Sequence, residues 1–314
     1  MRVGIIGTGW GRMHVGAFRA AGAHVVALCG LDLASTREIA RHENVELATD
    51  DLGTLCREVE LVVVASPDAW HATHVEAALR AGRHVMCEKP LSRTLEEART
   101  MRALADASGR RCAVNFPYRQ LPPLVALRAW LPRVRHLEVN LRSSFVGPTD
   151  LSADFGGMSH VIDAALWLCR GTPESVLAAF DGSAVSLKLS LRGGCVVNFV
   201  HRATVEPGIH GAWSLAGDGF EAGFFAGYLP TIGGWRIGAP RACLGGAWHD
   251  VGPSAEPEPG KIEPWAEAHV TAARAFLSGE LERLASFREG LEVQAVLAAA
   301  RHASVSGRRE LVML

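Results

Sequence analysis

The sequence predicts an α/β protein of two domains: an N-terminal doubly wound parallel sheet over residues 1–120, and a C-terminal α+β domain over 121–314 built on a mostly antiparallel, open sheet. Three observations carry this. Val3–Ile6 is an apolar strand that runs into Gly7-Thr8-Gly9-Trp10-Gly11-Arg12 and then into a helix ending near Ala21. Leu61–Leu91 reads strand, helix, strand, a βαβ unit whose parallel strands put their C-terminal ends on one edge of the sheet. Beyond Leu121-Pro122-Pro123 the texture changes to alternating, half-buried strands. A length of 314 residues fits two domains.

The glycine-rich turn follows a strand and opens a helix, which is the context that gives a Rossmann fingerprint its meaning. Gly7 permits the tight turn. Gly9, flanked by Thr8 and Trp10, lets the backbone approach a pyrophosphate, an anion that the helix N-terminus favours. The third fingerprint position is Arg12, with Gly11 one place early. Either the helix packs differently on its strand, or Arg12 points outward, towards phosphate or solvent. His24–Cys29 is the second strand, followed by Gly30, Leu31 and Asp32. Ser35-Thr36-Arg37-Glu38 fits a capping box that would occupy the Ser35 hydroxyl. Thr36–Arg41 reads as a short helix, and Val45–Leu47 and Leu52–Val59 complete the next crossover.

In the central stretch Leu61–Ala65 is a buried strand, broken by Ser66-Pro67-Asp68. Trp70–Ala81 is a helix with Val75, Ala78 and Leu79 inward, and His84–Cys87 is a strand that delivers Glu88-Lys89-Pro90 at its tip. Open α/β sheets bind ligands at that edge, so Ser66 and Lys89 stand there. A lysine so placed is a candidate proton donor or acceptor, because burial near another cation favours its neutral form. Thr94-Leu95-Glu96-Glu97 is a capping box opening a helix to Ser108, and Arg111–Asn115 is the next strand.

Ala65-Ser66-Pro67, with His71 on the following helix, and Gly82 to Leu91 resemble the signature of the Gfo/Idh/MocA family of NAD(P)-dependent oxidoreductases, closely through about residue 120 and loosely after it. The resemblance implies a nicotinamide cofactor on the Rossmann domain and a substrate in the cleft between domains. It implies hydride transfer at the nicotinamide C4, with Lys89 as proton donor or acceptor. Ser66, Pro67 and Glu88 match positions beside the cofactor, and His71 matches a histidine that supports the loop. The family's carboxylate for the ribose 2′-OH falls where Gly30 stands, and Asp32 comes two places late. An aspartate at 30 would repel a 2′-phosphate and glycine does not; Ser35 and Arg37 could bind one. NADP(H) is therefore favoured over NAD(H).

The resemblance also places Asn115, Tyr118 and Arg119 at the border of the substrate site, where an arginine could hold a substrate oxygen or form a domain-junction salt bridge. The family's second-domain motif is an aspartate, three residues, a histidine, two residues and an aspartate. His160 and Asp163 match its last two members, and Gly156 stands in place of the first. His160 is expected to act on the substrate alone or with Ser159, Asp154 or water, with Asp163, one helical turn on, orienting its ring. The substrates implied are sugars, keto-sugars and cyclitols. The lost aspartate leaves room for imine reduction, or for a redox-inactive dinucleotide-binding sensor or scaffold.

The second domain's strands read as His136–Phe145, Ser175–Phe180, Ser183–Leu191, Cys195–Thr204, His210–Leu215 and Gly219–Phe225, with Gly193-Gly194 as a hairpin turn. Gly227–Gly260 has no clear period. Helices follow at Trp265–Leu277 and, from a capping box at Ser286–Glu289, to about Ser306. The resemblance implies a homo-oligomer, dimer or tetramer, through this sheet. A net charge of −1 gives no nucleic-acid footprint, and no apolar run is long enough to span a membrane. Met1-Arg2 leads straight into a strand, which leaves no room for a signal peptide. Seven scattered cysteines without a CxxC fit reduced thiols in the cytoplasm, and no metal-ligand cluster is present.

Overall fold

The N-terminal strands are short apolar runs with uncharged interiors, the composition of a sheet covered on both faces. A computed structural model describes residues 1–144, 158–182 and 184–314; Phe145, Asp154, Gly156 and Ser183 lie outside the described residues. In chain order come β1 (Arg2–Ile6), α1 (Gly11–Ala20), β2 (His24–Cys29), α2 (Leu33–His42), β3 (Leu47–Thr49) and α3 (Leu52–Glu58). Then come β4 (Leu61–Val64), α4 (His71–Arg80), β5 (His84–Cys87), α5 (Leu95–Ser108) and β6 (Cys112–Val114). These six strands pair in parallel in the order β3-β2-β1-β4-β5-β6. The order reverses between β1 and β4, and at such a switch a doubly wound sheet opens a ligand crevice beyond its strand ends.

The chain continues through α6 (Pro122–Trp130), β7 (Val134–Ser143), α7 (Ser159–Cys169), β8 (Pro173–Phe180), β9 (Ala184–Leu191), β10 (Val196–Ala203), β11 (Ile209–Gly217) and β12 (Phe220–Leu229). It ends with β13 (Gly234–Ile237), β14 (Arg241–Leu244), β15 (Ala247–Asp250), α8 (Pro264–Ser278), α9 (Phe287–Ser306) and β16 (Glu310–Leu311). The second sheet runs β15-β14-β12-β11-β7-β10-β9-β8-β16, with β13 also on β12. It is mostly antiparallel; β10 and β7 pair in parallel. Val185, Leu187, Leu189 and Leu191 alternate inward, as do Leu137, Val139 and Leu141, and α7 packs on β7. The stretch without a clear period holds β13, β14 and β15, each only four residues long.

Two units emerge, and neither is continuous in sequence: Met1–Pro117 with Ala266–Gln294, and Tyr118–Trp265 with Ala295–Leu314. The first gains its C-terminal piece because Ala272, Ala273, Ala275 and Phe276 of α8 join Ile5, Phe18, Val63 and Met86 in one buried cluster. No helix among the described residues is long and apolar enough to cross a membrane.

Candidate active site

In the first unit the turn after β1 is built by its glycines. Gly7 has φ +114°, and a Cβ there would lie 2.3 Å from the Ala65 carbonyl oxygen. Only glycine fits such a position. A Cβ on Gly9 would meet nothing within 4 Å, so space lies open over that backbone, as close approach of a pyrophosphate requires. Gly11 is buried, and its Cβ would press on Ile5 Cγ2 at 3.0 Å. Gly11 therefore takes over the close helix–strand contact of the third fingerprint glycine. Arg12 is turned outward, and its Nε donates to Glu43 Oε1 at 2.8 Å. That ion pair commits Arg12 to the end of α2, which corrects its assignment to the phosphate. No acidic residue occupies the first turn of α1, so the helix end keeps its attraction for an anion.

At the end of β2 the structure moves the cap. Asp32, not Ser35, starts α2: its Oδ1 accepts from the Ser35 amide at 2.7 Å. The expected Ser35–Glu38 capping box is not formed, because Ser35 sits in the third helical position. A Cβ on Gly30 would fall 2.4 Å from Thr36 Oγ1 and 2.6 Å from Thr8 Cγ2. Thr36 Oγ1 is itself fixed by donating to the Asp32 carbonyl at 2.6 Å. The missing acid at position 30 is thus a packing constraint. Ser35 and Arg37 are exposed, and neither side chain has a polar partner among the described residues.

Glu88 is the hub of this unit. It is buried, and its Oε1 accepts from His14 Nε2 at 2.8 Å, Asn115 Nδ2 at 2.7 Å and Trp10 Nε1 at 3.2 Å. Its Oε2 accepts from the Lys89 amide at 3.1 Å. Burial alone pushes the Glu88 carboxyl up. The His14 hydrogen bond and charge, His269 and Asn115 outweigh that and hold it well below the usual carboxylate range. Buried His269, from α8, sets its ring 5.7 Å from that of His14 and 6.0 Å from that of Trp10. Glu88 is therefore engaged by the glycine-rich turn, α1 and Asn115, while the buried Asn115 Oδ1 has no partner among the described residues.

His71 is likewise buried. Its ring nitrogens lie 2.9 Å from the Ser66 and Pro90 carbonyl oxygens, so it ties the ends of β4 and β5 together rather than reaching a ligand. Ser66 Oγ is paired with His74 Nδ1 at 2.9 Å, and Pro67 is exposed. Lys89 is half-buried, and its ammonium makes no hydrogen bond or ion pair among the described residues.

In the second unit Arg119 and Asp163 meet each other. Arg119 Nη2 donates to Asp163 Oδ1 at 2.6 Å and Nε to Oδ2 at 3.0 Å, with both side chains buried. This bidentate pair lies within one unit, so it is not the domain-junction bridge considered for Arg119, and it engages Arg119 and Asp163 with each other in place of the substrate contact expected of Arg119 and the ring-orienting role expected of Asp163. His160 is half-buried against aromatic rings, 6.1 Å from Tyr118 and 5.4 Å from Trp265 by ring centroids. Trp235 stacks on Trp265 at 4.5 Å, and Trp213 lies 6.0 Å from Tyr118. Burial pushes the Tyr118 phenol above its ordinary range, so it stays protonated, as part of this aromatic wall. Sequence reasoning missed His14, His269 and the three tryptophans. A histidine one turn into α1, facing the strand of the Glu88 segment, was the one available signal.

Comparison with known proteins places these features. Residues 1–116 match the model of an oxidoreductase family with an NAD-binding Rossmann fold. An inositol 2-dehydrogenase of Agrobacterium fabrum is 30% identical over 213 residues, covering 63% of this chain and 62% of that protein. The chain spans about half the length of the curated relatives it matches. Among solved structures, a putative myo-inositol dehydrogenase from Sinorhizobium meliloti 1021 superposes with a TM-score of 0.78 at 20% identity, covering 100% of both chains. A levoglucosan dehydrogenase in complex with NADH and levoglucosan gives 0.79 at 20% identity, covering 100% of this chain and 99% of that one. At such identity the structural likeness is one of fold.

Proposed function

From the premise that this chain carries the NAD-binding domain of the Gfo/Idh/MocA oxidoreductases, we propose that it is a nicotinamide-dependent dehydrogenase or reductase of a sugar- or cyclitol-type alcohol and its ketone. A bound nicotinamide supplies or accepts the hydride. The chain's own residues do the rest. Gly7, Thr8, Gly9 and the start of α1 hold the pyrophosphate. Lys89 gives or takes the proton at the substrate oxygen, and His160 hydrogen-bonds that group or its neighbour. Without proton transfer, hydride loss from an alcohol would leave a cation, and general acid–base help is worth about 10²–10⁴-fold. The observation that carries this reading is the Lys89 ammonium. It stands on a strand end with no protein partner among the described residues, beside a carboxylate already engaged by four donors.

NADP(H) is the preferred cofactor in this proposal. Position 30 has no room for an acid, and the exposed Arg37 and the Ser35 hydroxyl stand close after it without partners among the described residues. Reduction of a ketone or imine is the second reading, because Gly156 stands where the motif of the family that the sequence resembles has an aspartate. A homo-oligomer through the second sheet belongs to the proposal too: Leu177, Leu244 and Trp248 are exposed on its strands, and sedimentation of the purified chain tests it. The function is tested by titrating NADPH and NADH by nicotinamide fluorescence, then adding polyols, ketoses, inososes and cyclic imines. Oxidation or reduction of one class, abolished in Lys89→Met with cofactor binding kept, supports the reading. Binding without turnover across the panel makes the chain a dinucleotide sensor instead.

A further inference from the structure

A second candidate site lies in the second unit, where the start of β7, the end of α7 and the turn between β9 and β10 line an open pocket of about 410 Å³. Its walls carry two thiols, Cys169 and Cys195, and three guanidinium groups, those of Arg133, Arg170 and Arg192. Both thiols are reduced, Cys169 half-exposed and Cys195 buried, and they line the same pocket. Two cysteines that are 26 positions apart in sequence meet here because α7 ends at Cys169 and the hairpin turn ends at Cys195. The arginines are exposed, and none of the three forms an ion pair with a carboxylate among the described residues; Arg133 donates to the Gly193 carbonyl and Arg170 to that of Arg128. The neighbouring Arg135 is paired with Asp218 at 2.9 Å.

We propose that this pocket is a thiol–disulfide exchange site that takes an acidic, low-molecular-weight disulfide, with Cys195 as the attacking sulfur and Cys169 as the resolving one. The roles follow from position. Cys169 is the last residue of α7, where the negative end of the helix dipole disfavours a thiolate. Cys195 is the more buried of the two thiols, and Cys169 and Arg135 beside it hold its pKa below the ordinary value against that burial. A thiolate held next to cations is the reactive form of a cysteine. The Cys195 thiolate attacks one sulfur of the bound disulfide, forming a mixed disulfide and expelling the other half as a thiolate. Cys169 then loses its proton to solvent and attacks Cys195 Sγ as the thiolate, closing the Cys169–Cys195 disulfide and releasing the second half as a thiolate that takes up a proton. The protein loses two electrons and the small disulfide gains them. The rim arginines hold the carboxylates of the incoming molecule.

The test uses the full chain with three disulfides of different charge: dianionic oxidised glutathione, uncharged hydroxyethyl disulfide and dicationic cystamine. Thiol loss is followed with time, and products are mapped by peptide mass. The expected result is a Cys169–Cys195 disulfide, formed roughly tenfold faster with oxidised glutathione than with cystamine at low salt, the gap narrowing as salt is added. Cys169→Ser traps glutathione on Cys195, and Cys195→Ser forms no adduct at Cys169. Paired Arg133→Gln and Arg192→Gln changes slow oxidised glutathione severalfold and leave hydroxyethyl disulfide unchanged. First modification at the half-exposed Cys112 or Cys243, or equal rates for the three reagents, overturns the proposal.

Discussion

Replacing Glu88 by glutamine keeps its shape and removes its charge. The carboxylate accepts four hydrogen bonds, three on Oε1 and one on Oε2. A glutamine has one acceptor oxygen. With that oxygen kept at the Oε1 position, its NH2 faces the Lys89 amide at the present 3.1 Å, donor against donor. Flipped, the NH2 faces three donors. The first arrangement costs less: one unmatched buried donor and weaker bonds to the others, together about 2–4 kcal/mol.

The pH dependence follows from the depressed Glu88 pKa. A carboxyl held below its unfolded value contributes stability that is complete above that value, about 4.3, and is lost as pH falls below it. The gap between wild type and Glu88→Gln is therefore expected to be full at neutral pH and to shrink progressively in acid. Urea unfolding followed by circular dichroism at a series of pH values measures it. A variant as stable as wild type at neutral pH, or a gap that does not narrow in acid, refutes the reasoning. Trp10 and Lys89 share this carboxylate, so kcat/KM is expected to fall about 10²-fold as well, through misplacement of groups that the substitution does not touch.

Lys89→Met is expected to lower turnover by about 10²–10⁴-fold while NADPH still quenches protein fluorescence with wild-type affinity. Asp163→Asn or Arg119→Met alone is expected to cost about 3–5 kcal/mol, because each leaves a buried partner uncompensated, whereas Arg119→Met with Asp163→Leu recovers most of it; thermal unfolding separates the three. Gly30→Asp is expected to destabilise by about 1–3 kcal/mol through overlap with Thr36 and Thr8, and to gain NADH affinity only when combined with Thr36→Ala and Thr8→Ser, which remove both overlapping atoms. Gly7→Ala is expected to abolish dinucleotide binding in a titration, since the added carbon collides with the Ala65 carbonyl oxygen.

The first unit was readable because its cues are local. Apolar strands, the glycine-rich turn and the capping boxes at Thr94 and Ser286 each occupy a few consecutive residues, and both boxes form with the expected bonds. The start of α2 was misjudged because Asp32 and Ser35 are both good caps, and only the course of the chain after β2 decides between them. The Glu88 hub draws on α1, β5 and β6, with His269 of α8 packed beside it, so no window of sequence contains it. The aromatic wall around His160 combines residues from positions 118 to 265 in the same way. The strands β13 to β15, four residues each, are too short to show alternation.

The parallel pairing of β10 with β7 bears on how the second sheet assembles. Val196 lies opposite His136, and β11 takes the other side of β7, so β7 gains both of its neighbours only from residues synthesised much later. The hairpins β8–β9 and β11–β12 close over short loops and form early, while β7 waits with both edges bare. A nascent or truncated chain that stops before Val196 would present a ten-residue strand with two open edges, the kind of template on which chains aggregate.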